Sequence, residues 1–132
     1  MPRRKSFEPT EREFAILEIL WKRGSCTVRD VQEALSEHED VGRTTVLKLM
    51  QIMYDKGLVK RDESEYSHTY TATLKQEEVQ EQMVGRFMQR VFGGSALSLM
   101  TKALSAKGVS KKDMEKVQKI LKEMEMGHDK PK

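Results

Sequence analysis

Twenty-one consecutive residues, Val41–Arg61 (VGRTTVLKLMQIMYDKGLVKR), constrain this chain more than any other stretch. Val46, Leu49, Met50 and Met53 recur at i, i+3, i+4 and i+7, the spacing of an apolar stripe on an amphipathic helix. Thr44, Thr45, Lys48, Gln51 and Asp55 fall mostly on the other faces. Gly42 is an acceptable N-cap and Asp40 supplies an acceptor near the start. Lys56-Gly57 reads as a stop, with Gly57 offering the left-handed conformation that closes a helix. Leu58-Val59-Lys60-Arg61 then reads as a strand that follows with almost no linker.

The residues upstream supply two more helices. Thr10-x-x-Glu13 is a capping box after Pro9, and Phe14, Ile16, Leu17, Leu20 and Trp21 give the first helix a broad apolar face that ends at Gly24. Ser25-Cys26 is a short extended link. Thr27-x-x-Asp30 caps a second helix, with Val28, Val31, Ala34 and Leu35 inward, running to about Glu37. His38-Glu39-Asp40 is the turn into the third helix. Downstream, Leu58–Asp62 and Ser67–Thr73 flank the polar cluster Glu63-Ser64-Glu65-Tyr66, which predicts a two-stranded hairpin. Three helices, the third delivered across a polar turn, followed by a hairpin, match a winged helix-turn-helix DNA-binding domain over residues 1–74.

Beyond Leu74 the pattern changes to helices. Val79, Met83, Phe87 and Val91, with Val84, Met88 and Phe92, make a wide stripe over 76–92. Gly93-Gly94-Ser95 breaks it. Leu97, Met100 and Leu104 mark a short helix closed by Gly108, and Ser110 opens a third with Met114, Val117, Leu121 and Met124 on one face. Such stripes, with six of the nine Met in residues 83–126, suit a core shared between two copies of the chain. The expected fold class is mostly α with a small β-hairpin wing. A helical dimerisation domain over 75–126 follows the winged-helix domain, and a disordered tail covers 127–132. The residues expected to pair the copies are Met83, Phe87, Val91, Leu97, Met100, Leu104, Val117, Leu121 and Met124. The competing arrangement folds these helices back on the winged domain as one globule.

Charge gives only local guidance. Residues 1–74 carry 12 Lys and Arg against 13 Asp and Glu, a net of −1, whereas residues 75–132 carry 12 against 8, a net of +4. DNA binding by the first half must therefore use a localised patch. The basic run Arg3-Arg4-Lys5 is either a solvated terminus or an arm that touches phosphates. No run of 18 apolar residues is present, and MPRRKSFEP lacks the apolar segment of a signal peptide, so the expected location is the cytoplasm. The lone Cys26 rules out an internal disulfide and reads as a small buried apolar residue rather than a sensor thiol. His38, His68 and His128 have no metal-ligand spacing and no Gly-rich phosphate loop exists, so neither an enzyme, a metal site nor a cofactor is expected.

The order and spacing of four pieces resemble the penicillinase repressor family of bacterial transcriptional repressors. They are Glu13-Phe14-Ala15-Ile16-Leu17 leading to Leu20-Trp21, Arg43-Thr44-Thr45-Val46, Lys56-Gly57-Leu58-Val59 and Tyr70-Thr71-Ala72. Phe87, Gly93-Gly94-Ser95 and Ile120-Leu121 also fit, so the similarity spans about residues 8–124. The resemblance implies a winged-helix domain, a helical dimerisation domain, and repression through a palindromic operator. It also implies release by a membrane-bound sensor protease that cuts after an Asn preceding an aromatic residue. Here the matching position is Lys102-Ala103, so that signature is missing and a sensor protease is a doubtful partner. Paired C-terminal cysteines, the copper site of a sister group, are also missing.

With the third helix in a major groove, Thr44, Thr45 and Lys48 point away from the apolar stripe toward base edges. Arg43, Lys60 and Arg61 are the expected phosphate contacts, because the acidic cluster Asp62, Glu63 and Glu65 occupies the wing tip. Two rival functions share this fold: a winged-helix adaptor that binds protein, favoured by the acidic tip, and a repressor with a small-molecule effector, for which no residue marks a pocket.

Overall fold

The computed structural model describes residues 8–128. The basic run Arg3-Arg4-Lys5 and the last four residues lie outside the described region. The N-terminal helix α1 (Glu11–Arg23) starts where its capping box requires: the Glu13 amide donates to the Thr10 hydroxyl at 3.2 Å and the Thr10 amide donates to Glu13 Oε1 at 3.0 Å. Helix α2 (Val28–Leu35) repeats the device with Thr27 and Asp30. It ends at Leu35, earlier than the expected Glu37, because Ser36 already serves as C-cap and its hydroxyl donates to Gln32 O at 2.8 Å. The turn to α3 (Arg43–Lys56) is fixed from inside: Val41 is buried, and its carbonyl accepts from Gln32 Nε2 at 3.0 Å.

Helix α3 buries Val46, Met50 and Met53 completely, while Leu49 is half-buried beside them. Truncating a buried Met to Ala costs roughly 2–5 kcal/mol, so this stripe fixes the helix's rotation about its axis. Gly57 (φ +86°) ends the helix, and Leu58 N–H donates back to Met53 O at 2.9 Å while both side chains sit in the core. Strand β1 (Val59–Asp62) then pairs antiparallel with β2 (Thr69–Ala72), placing Arg61 opposite Tyr70 and Lys60 opposite Thr71. Cys26 adds a one-residue edge to this hairpin: its amide donates to Tyr70 O at 3.0 Å and Tyr70's amide donates to Cys26 O at 2.7 Å. The link after α1 is thereby tied to the wing, and the Cys26 side chain is buried.

Helix α4 (Gln76–Phe92) belongs to two units. The chain divides after Gly85, rather than at the 74–75 junction expected from the sequence. The reason is packing: Val79 is buried in the winged-helix core, and Leu74 and Met83 lie against it. Trp21, stacked edge-on against Phe14, anchors the junction by donating Nε1–H to Leu74 O at 2.8 Å. The unit from Arg86 contains the end of α4, α5 (Ala96–Ser105) and α6 (Lys111–His128). Gly93 and Gly94, both at positive φ, turn the chain between α4 and α5, and the Ser95 hydroxyl caps α5 by accepting from the Ser98 amide. Ser110 caps α6 in the same way through the Asp113 amide. Gly127 and His128 lie within α6 rather than in a disordered tail. No described residue after Gly85 is fully buried.

Candidate nucleic-acid interface

The surface around α3 is built by holding that helix at both ends. At its N-terminal end Val41 plugs the core and Gln32 clamps its carbonyl. At its C-terminal end Lys56 Nζ donates to Glu13 Oε1 at 2.8 Å, and Glu13 is the same residue that closes the capping box of α1. Glu13 is 2% exposed. One buried carboxylate therefore joins the start of α1 to the end of α3, with its charge met by an ammonium and a backbone N–H.

On the outward side, Arg43, Thr44, Thr45 and Lys48 are all exposed. Among the described residues no side-chain hydrogen bond or ion pair engages them, nor Lys60 on the wing. Four of the six residues expected to touch DNA thus share the first turn and a half of α3, and Lys60 stands on the neighbouring strand. Arg61 is placed differently from a free phosphate-facing cation. Its Nε donates to Glu63 Oε2 at 2.6 Å, its Nη1 donates to Gln51 Oε1 at 3.4 Å, and its guanidinium lies 4.1 Å from the centre of the Tyr54 ring. The Tyr70 hydroxyl first, and Glu63 after it, hold the guanidinium's pKa above its usual value. Arg61 braces the wing against the second half of α3.

Three further residues belong to this surface besides the six expected contacts. Gln51 and Tyr54 are the partners of Arg61, and Leu47 stands 48% exposed between Thr44 and Gln51. Leu47 was detectable: it lies off the 46-50-53 stripe, so a helical wheel already turns it outward. The wing tip carries Asp62, Glu63 and Glu65, with the Asp62 carboxylate accepting from the Ser64 amide at 2.9 Å. Ser64's side chain and then its amide hold the Asp62 pKa below its usual value. The tip is therefore anionic at neutral pH, and Tyr66 beside it is fully exposed.

In the unit from Arg86, Phe87, Val91, Leu97, Met100, Leu121 and Met124 are exposed, and Leu104 and Val117 are half-buried. Met83, expected among the pairing residues, instead packs against the winged-helix core. Lys102 and Ala103 lie exposed within α5. No described helix is long and apolar enough to cross a membrane, and no described group of His, Cys, Asp and Glu could hold a metal ion.

A helix-turn-helix whose second helix leads directly into a two-stranded wing defines the winged-helix class of DNA-binding folds. Within that class the chain belongs to the penicillinase repressor family, a family of transcriptional repressors rather than enzymes, which it matches over residues 9–123. It is 22% identical over 120 residues to a penicillinase repressor of Staphylococcus aureus, covering 91% of this chain and 95% of that one. It is 31% identical over 118 residues to the transcriptional regulator BlaI of Mycobacterium tuberculosis, covering 88% and 84%. Among solved structures, the DNA-binding domain of the repressor BlaI superposes with a TM-score of 0.50 at 17% identity, covering 56% of this chain and 92% of that one. A MarR family protein from Bacillus stearothermophilus gives the same TM-score at 19% identity, covering 92% and 76%. These two likenesses concern the fold.

Proposed function

We propose that this protein represses transcription in the cytoplasm by binding a palindromic DNA operator as a homodimer, with α3 of each copy in a major groove. The observation that carries the reading is the contrast within α3. Its inward stripe is buried and both its ends are clamped, while Arg43, Thr44, Thr45 and Lys48 stay exposed and, among the described residues, unengaged. A Thr offers a methyl and a hydroxyl to base edges, and Lys48 reaches guanine O6 and N7 or a phosphate. Arg43 and Lys60 are the phosphate contacts, flanking the reading residues on helix and wing.

The homodimer is supported by the unit from Arg86, which has amphipathic helices and, among the described residues, none that is buried. Helices of this kind gain stability by covering their apolar faces, and a second copy of the same helices is the self-complementary way to do so. Symmetry then sets two α3 helices roughly 34 Å apart, or a multiple of it, over an inverted repeat.

Selection from a random DNA pool on the full-length protein tests the reading, followed by a gel shift of the enriched duplex against a scrambled one at physiological salt. An enriched inverted repeat that outcompetes the scrambled duplex is the expected result; equal competition by both duplexes removes sequence-specific repression. One observation favours a second reading, a protein-binding adaptor: the anionic wing tip with its fully exposed Tyr66. That reading predicts no enrichment from the DNA pool.

A further inference from the structure

On the reading that α3 enters a major groove, we infer that Leu47 is a specificity-determining residue that selects thymine through its 5-methyl group. A single exposed Leu is ordinary on a protein surface. What distinguishes Leu47 is its setting. It contributes nothing to the buried stripe of Val46, Met50 and Met53, and nearly half of its surface meets solvent. Thr44 precedes it by one turn, Lys48 follows it, and Gln51 stands one turn further on, so Leu47 lies inside the group of residues that would face base edges.

The wing side of this group is fixed. The Gln51 amide oxygen accepts from Arg61 Nη1 at 3.4 Å, and Arg61 rests on the Tyr54 ring. Leu47 is therefore an apolar element among polar ones, of which Gln51 is held by Arg61. A Leu side chain can neither donate nor accept a hydrogen bond, so it gains from DNA only where an apolar atom meets it. In the major groove that atom is the thymine methyl, which distinguishes A·T from T·A and from cytosine, whose C5 carries none. Where cytosine occupies the same place, Leu47 has no methyl to cover it and stays in water.

The test uses the full-length protein and the duplex that it enriches from a random pool. Each thymine is replaced in turn by deoxyuridine, which removes the methyl and leaves every hydrogen-bonding group in place. The expected result is one or two thymines per half-site whose replacement weakens binding about fourfold, the scale of one buried methyl group. Leu47→Ala should bind the unmodified duplex more weakly by a similar factor and should be indifferent to those same replacements. Leu47→Met, which restores an apolar side chain, should recover the sensitivity. Thermal melting of both variants at the wild-type temperature checks that the fold is unchanged. An enriched duplex whose thymine-to-deoxyuridine pattern is identical in wild type and Leu47→Ala overturns the assignment while leaving DNA recognition intact. Failure to enrich any duplex removes the DNA reading itself, and this inference with it.

Discussion

Lys56 and Glu13, 43 residues apart, meet at 2.8 Å and join the last turn of α3 to the first turn of α1. Lys56 keeps 26% of its side-chain surface in solvent and Glu13 keeps 3%, so the carboxylate bears most of the desolvation. Removing the ammonium leaves a buried anion with one backbone donor. Lys56→Met should therefore destabilise the fold by about 1–3 kcal/mol, the cost of a buried acceptor that loses a charged partner. Urea unfolding followed by circular dichroism measures this directly. A midpoint equal to that of wild type would show that Glu13 is adequately served by the Thr10 amide alone.

Lys60 and Arg61 are adjacent in sequence and face different tasks. Lys60 is exposed with no ion-pair partner among the described residues, whereas Arg61 is engaged by Glu63, Gln51 and Tyr54. Removing one phosphate-neutralising cation should reduce the slope of log affinity against log salt by about 0.9, hence by about 1.8 for a symmetric pair. Lys60→Ala should show that reduction. Arg61→Ala should keep the wild-type slope and weaken binding at every salt concentration, because it loosens the wing rather than a grip on phosphate. Equal slope changes in the two variants would return Arg61 to the phosphate set.

Lys48 is exposed at the centre of the outward face of α3. Lys48→Ala should cost about 1–3 kcal/mol of specific binding and relax the preference at one operator position, with the melting temperature unchanged. Competition titrations with single-position operator variants read both effects. A uniform loss across all sequences would make Lys48 a phosphate contact instead.

Burial raises the Cys26 thiol pKa, the charge of Asp30 adds to it, and Arg23 opposes both. The native protein therefore holds this proton to higher pH than the unfolded chain does. The resulting stabilisation is complete below the ordinary thiol pKa and is lost as pH rises through the raised native value. Unfolding free energy should fall more steeply for wild type than for Cys26→Ala as pH rises above the ordinary thiol value. Parallel curves would contradict the assignment of Cys26 as a buried, inert thiol.

Local signals account for most of what the sequence reveals. Thr10 with Glu13, Thr27 with Asp30, and Gly57 each specify a helix end through hydrogen bonds that span only a few residues. The stripe of Val46, Met50 and Met53 is equally local, and it turns Thr44, Thr45 and Lys48 outward without reference to the rest of the chain. What escapes depends on partners distant in sequence. Arg61 looks like a free cation until the strand register places it over Tyr54 and Gln51. Val79 and Met83 share a helical stripe with Phe87 and Val91, yet periodicity cannot state that the first two meet the winged-helix core. The wing tip was legible because its acidic residues adjoin one another, and its geometry adds only the Asp62–Ser64 turn.

Repression as proposed requires two copies of this chain to present two α3 helices to one stretch of DNA. Sedimentation velocity of the full-length protein with its enriched duplex measures this most directly. Two chains per duplex are expected, and a single chain or none on a duplex cut to one half-site. Leu97→Glu, which places a charge on an exposed apolar position of α5, should abolish the two-chain complex while leaving the winged-helix unit folded. One chain saturating the intact duplex, with a wild-type protein that stays monomeric at every concentration, would contradict the homodimer and the operator symmetry together.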